Sequence, residues 1–284
     1  MNFKSGSNIM ILGSGGQLGS ELHKLYRDAI CYEHSPEYQY SIDFQDLDRL
    51  ETEIINSDVK WVINVAALTN VDACETNKEL AYIVNGLAVK TIVRASKRIN
   101  ANLLQVSTDY IFDGRMGEYK EYDFPNPVNY YGISKLIGET FAQTYEKSII
   151  VRTSGVYGSK NNFPNFVYKN LKESKRVKVL DGYYSPIHAK NLALAIKSLI
   201  ENNRFGLYNV AGIRTSRLDL ALQIAMKYNF DSTLIEKVEK IESFKAVRPY
   251  DSSLDISKAK KIIDFDFYSY ESNLRCFDSK ISKT

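Results

Sequence analysis

The stretch GSGGQLG at residues 13–19 limits what this chain can fold into more than any other. It follows a short apolar run, Ile9 to Leu12, and leads into Leu18, Leu22, Leu25 and Ala29, which recur at helical spacing. Gly13, Gly16 and Gly19 therefore stand as G-x-x-G-x-x-G between a buried strand and an amphipathic helix. Glycines so placed suit a tight turn, close approach of backbone to a pyrophosphate and close helix packing, with the helix N-terminus facing the negative charge. The expected ligand is a dinucleotide, NADP(H) or NAD(H).

The rest of the chain repeats the same alternation. KWVINVAA (60–67) reads as a strand and NKELAYIVNGLAVKTIVRASKRI (77–99) as one long helix. NLLQVST (102–108) and SIIVRTS (148–154) are further strands, followed by VKVL, a helix at NLALAIKSLIE, and LYNVAG. The pattern predicts an α/β fold, a Rossmann-type doubly wound parallel sheet with a small C-terminal substrate-binding lobe. The expected division gives 1–154, continued by 181–230, to the NAD(P)-binding domain, and 155–180 with 231–284 to the lobe.

A composition of 44% hydrophobic and 25% charged residues excludes disorder as a default. The net charge of +3 is too small to argue for nucleic acid and suits an anionic small molecule. Lys169, Lys172, Lys175, Arg176 and Lys178 are spaced like a solvated helix face. Cys31, Cys74 and Cys276 have no close pairing, so a reducing, cytoplasmic setting is expected. The histidines His23, His34 and His188 are scattered and no zinc spacing occurs, so no metal site is expected. No apolar run reaches membrane length and the N-terminus does not read as a signal peptide, so no membrane partner is expected.

NYYGISKL (129–136) raises a chemical possibility. If it opens a helix, Tyr131 and Lys135 share one face and Tyr130 does not. A nearby ammonium stabilises a phenolate and would lower the Tyr131 pKa toward the range useful for proton transfer at neutral pH. In a chain with 20 tyrosines the motif carries weight only beside a cofactor loop. QVSTDYIFDG (105–114) ends a strand, and strand C-termini face the ligand crevice in a doubly wound sheet, which brings Thr108 toward Tyr131 and Lys135. Glu33 lies 20 residues past Gly13, where an acid can bond the adenosine ribose, but the following His34 and SPEYQY blur the strand end. The choice between the two coenzymes stays open on that ground.

Together these stretches resemble the extended short-chain dehydrogenase/reductase superfamily, and within it the dTDP-4-dehydrorhamnose reductase (RmlD-like) family. The resemblance spans nearly the whole chain, through GSGGQLGSEL, VINVAALTNVDACE, VSTDYIFDG, EYDFPNPVNYYGISKLIGE, VRTSGVYG and RPYDSSLD. It implies a catalytic trio of Thr108, Tyr131 and Lys135. It further implies cofactor contacts at Gly13, Gly16, Gln17, Leu18, Gly19, Asp43, Phe44, Ala66, Ala67, Thr69 and Lys135, and substrate contacts at Val71, Thr108, Asp109, Tyr131 and Arg248. The implied reaction is NAD(P)H-dependent reduction of the C4 ketone of a nucleotide-linked 4-keto-6-deoxysugar, for a surface polysaccharide. A nucleotide sugar is thus the expected partner, with a homodimer also open.

The sugar side departs from that family. Its usual tryptophan after Arg-Thr-Ser is Gly155, and its Asp-Gln-x-Gly-x-Pro-Thr stretch reads DGYYSPIH, with Gly182, Tyr184 and His188 at the altered places. His188 as an extra acid/base would suggest an epimerase/reductase; a loop position before the next helix is the competing reading. Arg248 could grip a diphosphate, against a structural ion pair. Asp109 is followed by Tyr110 rather than the Glu usual in the dehydratases, which argues against dehydration. A non-catalytic, NADP-binding regulatory subunit like that of methionine adenosyltransferase is the alternative of a different class.

Overall fold

The computed structural model describes residues 8–34 and 40–281. Residues 35–39, which blur the end of the second strand, lie outside the described residues, as do the ends of the two terminal domain assignments. Five strands, β1 (Ile9–Leu12), β2 (Ile30–Tyr32), β3 (Trp61–Asn64), β4 (Asn102–Thr108) and β5 (Ser148–Thr153), are joined by Gly206–Asn209 in one six-stranded sheet. All neighbours are parallel, in the order Gly206–Asn209, β5, β4, β3, β1, β2.

Strands buried on both faces should read as continuous apolar runs, and they do. Ile11, Ile63, Leu104 and Val151 point into one apolar layer, where Leu18 and Leu22 of helix α1 (Gln17–Leu25) meet Leu192, Ile196 and Leu199 of the helix Ala189–Glu201. Met10, Leu12, Val62, Leu103 and Ile150 alternate to the other layer, against Leu50 and Ile54 of α2 (Leu47–Ile55) and Val89 and Ile92 of the helix Ala88–Arg98. A register slip of one residue in any strand would exchange the two layers, which fixes the pairing.

The long helix expected at 77–99 is instead broken. Val71–Thr76 and Lys78–Tyr82 are short helices, and a π-helical turn over Ile83–Leu87 precedes Ala88–Arg98. Asn77 caps the second piece by accepting the N–H of Leu80 (3.1 Å), and the π turn turns Asn85 inward. Periodicity alone cannot see one inserted residue per turn.

VKVL forms a strand as expected, but outside the main sheet: Val177–Leu180 pairs in parallel with Ile235–Val238. These strands cover a separate apolar cluster of Val167, Leu171, Val177, Val179, Leu220, Ala221 and Ile224. Leu254, Ile256, Ile263 and Phe267 join the layer beneath the main sheet. The five cations at 169–178 are all exposed. Among the described residues no helix is long and apolar enough to cross a membrane.

Candidate active site

The strand order reverses between β1 and β3, and a crevice opens there at their C-terminal ends. The approach is close: a Cβ built on Gly13 would meet the Ala66 backbone nitrogen at 2.7 Å, and Gly13 has φ +89°. Gly19 is tighter still, since its Cβ would sit 2.1 Å from the Gly13 carbonyl oxygen. Gly16 differs. Its Cβ would meet only the Gly13 oxygen, at an ordinary 3.4 Å, so no protein atom demands a glycine there. Gly16 precedes α1 without a side-chain cap, leaving the first N–H groups of a nine-residue helix directed at the cleft. This cradle fits a pyrophosphate. Gly16→Val is therefore expected to leave the unfolding midpoint nearly unchanged while weakening dinucleotide binding on titration; equal affinity would remove the loop from the site.

The cleft has a volume of about 630 Å³. Gly13, Gly16, Gln17, Leu18 and Gly19 line it from the loop and α1, Asp43 and Phe44 from beyond β2, and Ala66, Ala67, Thr69 and Val71 from the segment after β3. Thr108, Asp109, Tyr131 and Lys135 line its far end. Gln17 also holds the 158–162 segment: its side-chain oxygen accepts the Lys160 N–H (3.0 Å) and its amide donates to the Lys160 carbonyl (3.3 Å).

The tyrosine pair resolves as its spacing predicts. Asn129 accepts the Gly132 N–H (2.9 Å) and starts the helix Tyr130–Gln143, so Tyr131 and Lys135 fall one turn apart on the cleft side. The Tyr130 ring lies under the Lys78 ammonium (5.5 Å) and does not line the cleft. A buried ion pair between Arg152 of β5 and Glu139 (2.6 Å) ties this helix to the sheet.

The expected lowering of the Tyr131 pKa is corrected. Burial pushes it well above its ordinary value, the Thr108 hydroxyl pulling it back and Asp109 adding to the rise. Lys135 gives its ammonium to the Val106 carbonyl (2.7 Å), and burial lowers its own pKa from 10.5 to about 8. Desolvation outweighs the local i, i+4 effect in both groups. Tyr131 is thus held as a neutral phenol, the form that can give up a proton.

Thr108 donates to Asp109 Oδ1 (3.0 Å) and accepts the Tyr110 N–H (3.2 Å). Asp109 is 3% exposed, and its other oxygen accepts from Ser154 and Ser252, each at 2.6 Å. Burial raises the Asp109 pKa despite those three hydroxyls. A rotation of the Thr108 hydroxyl away from Asp109 would free its proton for a ligand oxygen.

Arg248 is not among the lining residues. Its guanidinium lies on Asp72 with contacts of 3.2 and 2.8 Å, which is the ion-pair reading. His188 is 1% exposed and outside the cleft lining, and its Nδ1 accepts the Lys190 N–H (3.1 Å) at the start of the helix Ala189–Glu201. That is the role of a helix cap, and it removes the ground for an extra acid/base. Gly155 does line the cleft, and a Cβ on it would meet the Tyr184 ring at 2.7 Å. The two departures from the family pattern are therefore complementary, Tyr184 excluding any side chain at 155.

Asn85 was not singled out in the sequence. It accepts the Leu68 N–H (2.9 Å) and donates to the Leu68 carbonyl (3.1 Å) and to Ser134 (3.0 Å), clamping the segment after β3 to the tyrosine helix. Its only signal was an asparagine in the middle of an apolar helical pattern. Glu33 reaches the cleft lining as well, although the sequence left it undecided.

A crevice at the reversal of a parallel sheet, with Tyr131 and Lys135 facing the end of β4, places the chain in the extended short-chain dehydrogenase/reductase class. Within that class the chain belongs to a particular family: the model described as the RmlD substrate binding domain matches residues 7–281. It is 34% identical to a dTDP-4-dehydrorhamnose reductase of Aggregatibacter actinomycetemcomitans, over 90% of this chain and 92% of that one. Its fold matches a hypothetical dTDP-4-dehydrorhamnose reductase from Sulfolobus tokodaii with a TM-score of 0.89 and 49% identity, covering 92% of this chain and 96% of the other. The Bacillus anthracis dTDP-4-dehydrorhamnose reductase, solved in complex with NADP, matches with a TM-score of 0.87 and 28% identity, over 96% and 98% of the two chains.

Proposed function

We propose that this protein reduces the C4 keto group of a nucleotide-linked 4-keto-6-deoxyhexose with NAD(P)H, in making a deoxysugar for surface polysaccharide. The observation that carries the reading is one cleft lined at one end by a pyrophosphate cradle and at the other by Thr108, Tyr131 and Lys135. Bound there, the reduced nicotinamide would supply a hydride to the carbonyl carbon. Gly13, Gly16, Gly19 and Gln17 would hold the dinucleotide's phosphates, Leu18, Asp43 and Phe44 its adenosine, and Ala66, Ala67, Thr69 and Lys135 the rest. Tyr131 gives its phenolic proton to the ketone oxygen as charge develops on it, and Thr108 donates a second hydrogen bond to the same oxygen. The Lys135 charge then stabilises the phenolate left behind. Val71 and Asp109 border the sugar, and Arg248 would act through the Asp72 contact unless the diphosphate replaces that carboxylate.

The same reading assigns 1–154 with 181–230 to the cofactor and 155–180 with 231–284 to the sugar nucleotide. It puts the enzyme in the reducing cytoplasm, where Cys31, Cys74 and Cys276 stay as thiols, and leaves a homodimer as the assembly to test. Loss of nicotinamide absorbance with dTDP-4-keto-6-deoxyglucose, with and without C3/C5 epimerase, tests it. Consumption dependent on the ketosugar is expected; dinucleotide binding with no consumption of any such sugar would favour a binding module instead.

Lys135 gives the reaction a pH signature. Its folded pKa of about 8 lies below the ordinary 10.5, so kcat/KM should fall above about pH 8 as the ammonium is lost. Stability moves the other way: between those two values the unfolded chain holds more protons than the folded one, so stability rises with pH across that window. Lys135→Met should abolish both trends. An activity profile flat to pH 10 would contradict the role given to the ammonium.

A further inference from the structure

The adenosine end of the cleft is the part the family likeness leaves undecided, and its charges are one-sided. β2 delivers Glu33 to the lining beside the glycine loop. One of its carboxylate oxygens accepts the Gly15 N–H and the other the His34 N–H (3.0 Å), which fixes the carboxylate where the loop approaches a dinucleotide. A carboxylate has room for about four donors, so acceptor capacity remains for a ribose. Asp43 brings a second carboxylate to the same lining, with Phe44 as its apolar neighbour. From Ile30 to Asp48 the sequence contains Glu33, Glu37, Asp43, Asp46 and Asp48 and neither Lys nor Arg.

The nearby cations hold backbone carbonyls and do not line the cleft. Lys160 gives its ammonium to the Gly15 carbonyl and is tied by its backbone to Gln17, on the loop that cradles phosphate. Arg49 donates to the Ser41 carbonyl (3.0 Å) and faces Glu53 (3.8 Å). His34 Nδ1 lies 3.9 Å from Asp43 at the same lining.

NADH presents two free hydroxyls on its adenosine ribose, and hydroxyls donate well to a carboxylate. NADPH carries a phosphate on the 2′ oxygen, which needs a guanidinium or ammonium and would here meet like charge. We propose that this chain selects NADH over NADPH, with Glu33 reading the ribose 2′-hydroxyl and Asp43 adding to the rejection of a 2′-phosphate. This rests on the reading of the cleft as a dinucleotide site, and it separates the chain from its relative solved with NADP.

The test is binding, apart from turnover. The full chain is titrated with NADH and separately with NADPH, without sugar, following nicotinamide fluorescence. NADH should bind at least about tenfold more tightly, as expected for like charges brought together within a cleft. Glu33→Gln keeps an acceptor for the Gly15 N–H and so preserves the loop; it should tighten NADPH and bring the two affinities within about threefold of each other. Asp43→Asn should shift the ratio in the same direction by less. NADPH binding as tightly as NADH, or a ratio that Glu33→Gln leaves unchanged, overturns the selectivity alone. Binding of neither dinucleotide overturns the dinucleotide reading along with it.

Discussion

Tyr131→Phe is expected to lower kcat by about 10²–10⁴-fold while binding the dinucleotide as tightly as the wild type. The substitution removes one hydroxyl and nothing else. The ring keeps its edge-on contact with Tyr110 (5.8 Å between centroids) and its place on the helix Tyr130–Gln143, so the fold has no reason to respond. What disappears is the proton that the developing alkoxide needs. Burial keeps that proton on the phenol across the working pH range, so its loss has no substitute in solution once the cleft is filled. The split between kcat and affinity separates this outcome from general damage, and equal turnover in the two proteins would remove Tyr131 from the role of acid.

The second large effect is structural. Gly19→Val should destabilise the protein by about 3 kcal/mol or more and abolish measurable dinucleotide binding, read by urea unfolding and by titration. A Cβ at 19 would lie 2.1 Å from the Gly13 carbonyl oxygen and 2.7 Å from the Ser14 Cα, both backbone atoms that no rotamer change can move. α1 would have to lift from the loop, drawing Leu18 and Leu22 out of the layer they share with Ile11 and Ile63. Gly16→Val sits one turn away and opens on the cleft, so the pair distinguishes a glycine the protein requires from one its ligand requires. Normal stability and affinity in Gly19→Val would mean that the close approach of α1 to the glycine loop does not hold.

The central strands were legible because they are buried on both faces, which leaves apolar runs such as IMIL and WVI. The glycine loop and Tyr-x-x-x-Lys were legible because each is local: its spacing fixes its geometry once the helix forms. What escaped the sequence is non-local. Arg248 leaves a diphosphate grip and an ion pair both open until Asp72, 176 residues away, is seen to hold it. Lys135 seemed to govern the protonation of Tyr131, whereas burial by the whole fold governs both groups. Asn85 gave no sign of being a clamp because Leu68 and Ser134 lie 17 and 49 residues from it. The break of the helix at 77–99 followed the same rule, its π turn being held by contacts that periodicity does not record.

The most direct test of the central claim follows the hydrogen itself. A nucleotide-linked 4-keto-6-deoxyhexose would be reduced by this protein with coenzyme deuterated at the transferable position of nicotinamide C4, and the product examined by NMR. One deuterium at C4 of the sugar, absent when Tyr131→Phe replaces the wild type, is the result predicted. A reduced product without label, or with label at another carbon, would contradict hydride transfer to the C4 ketone in this cleft.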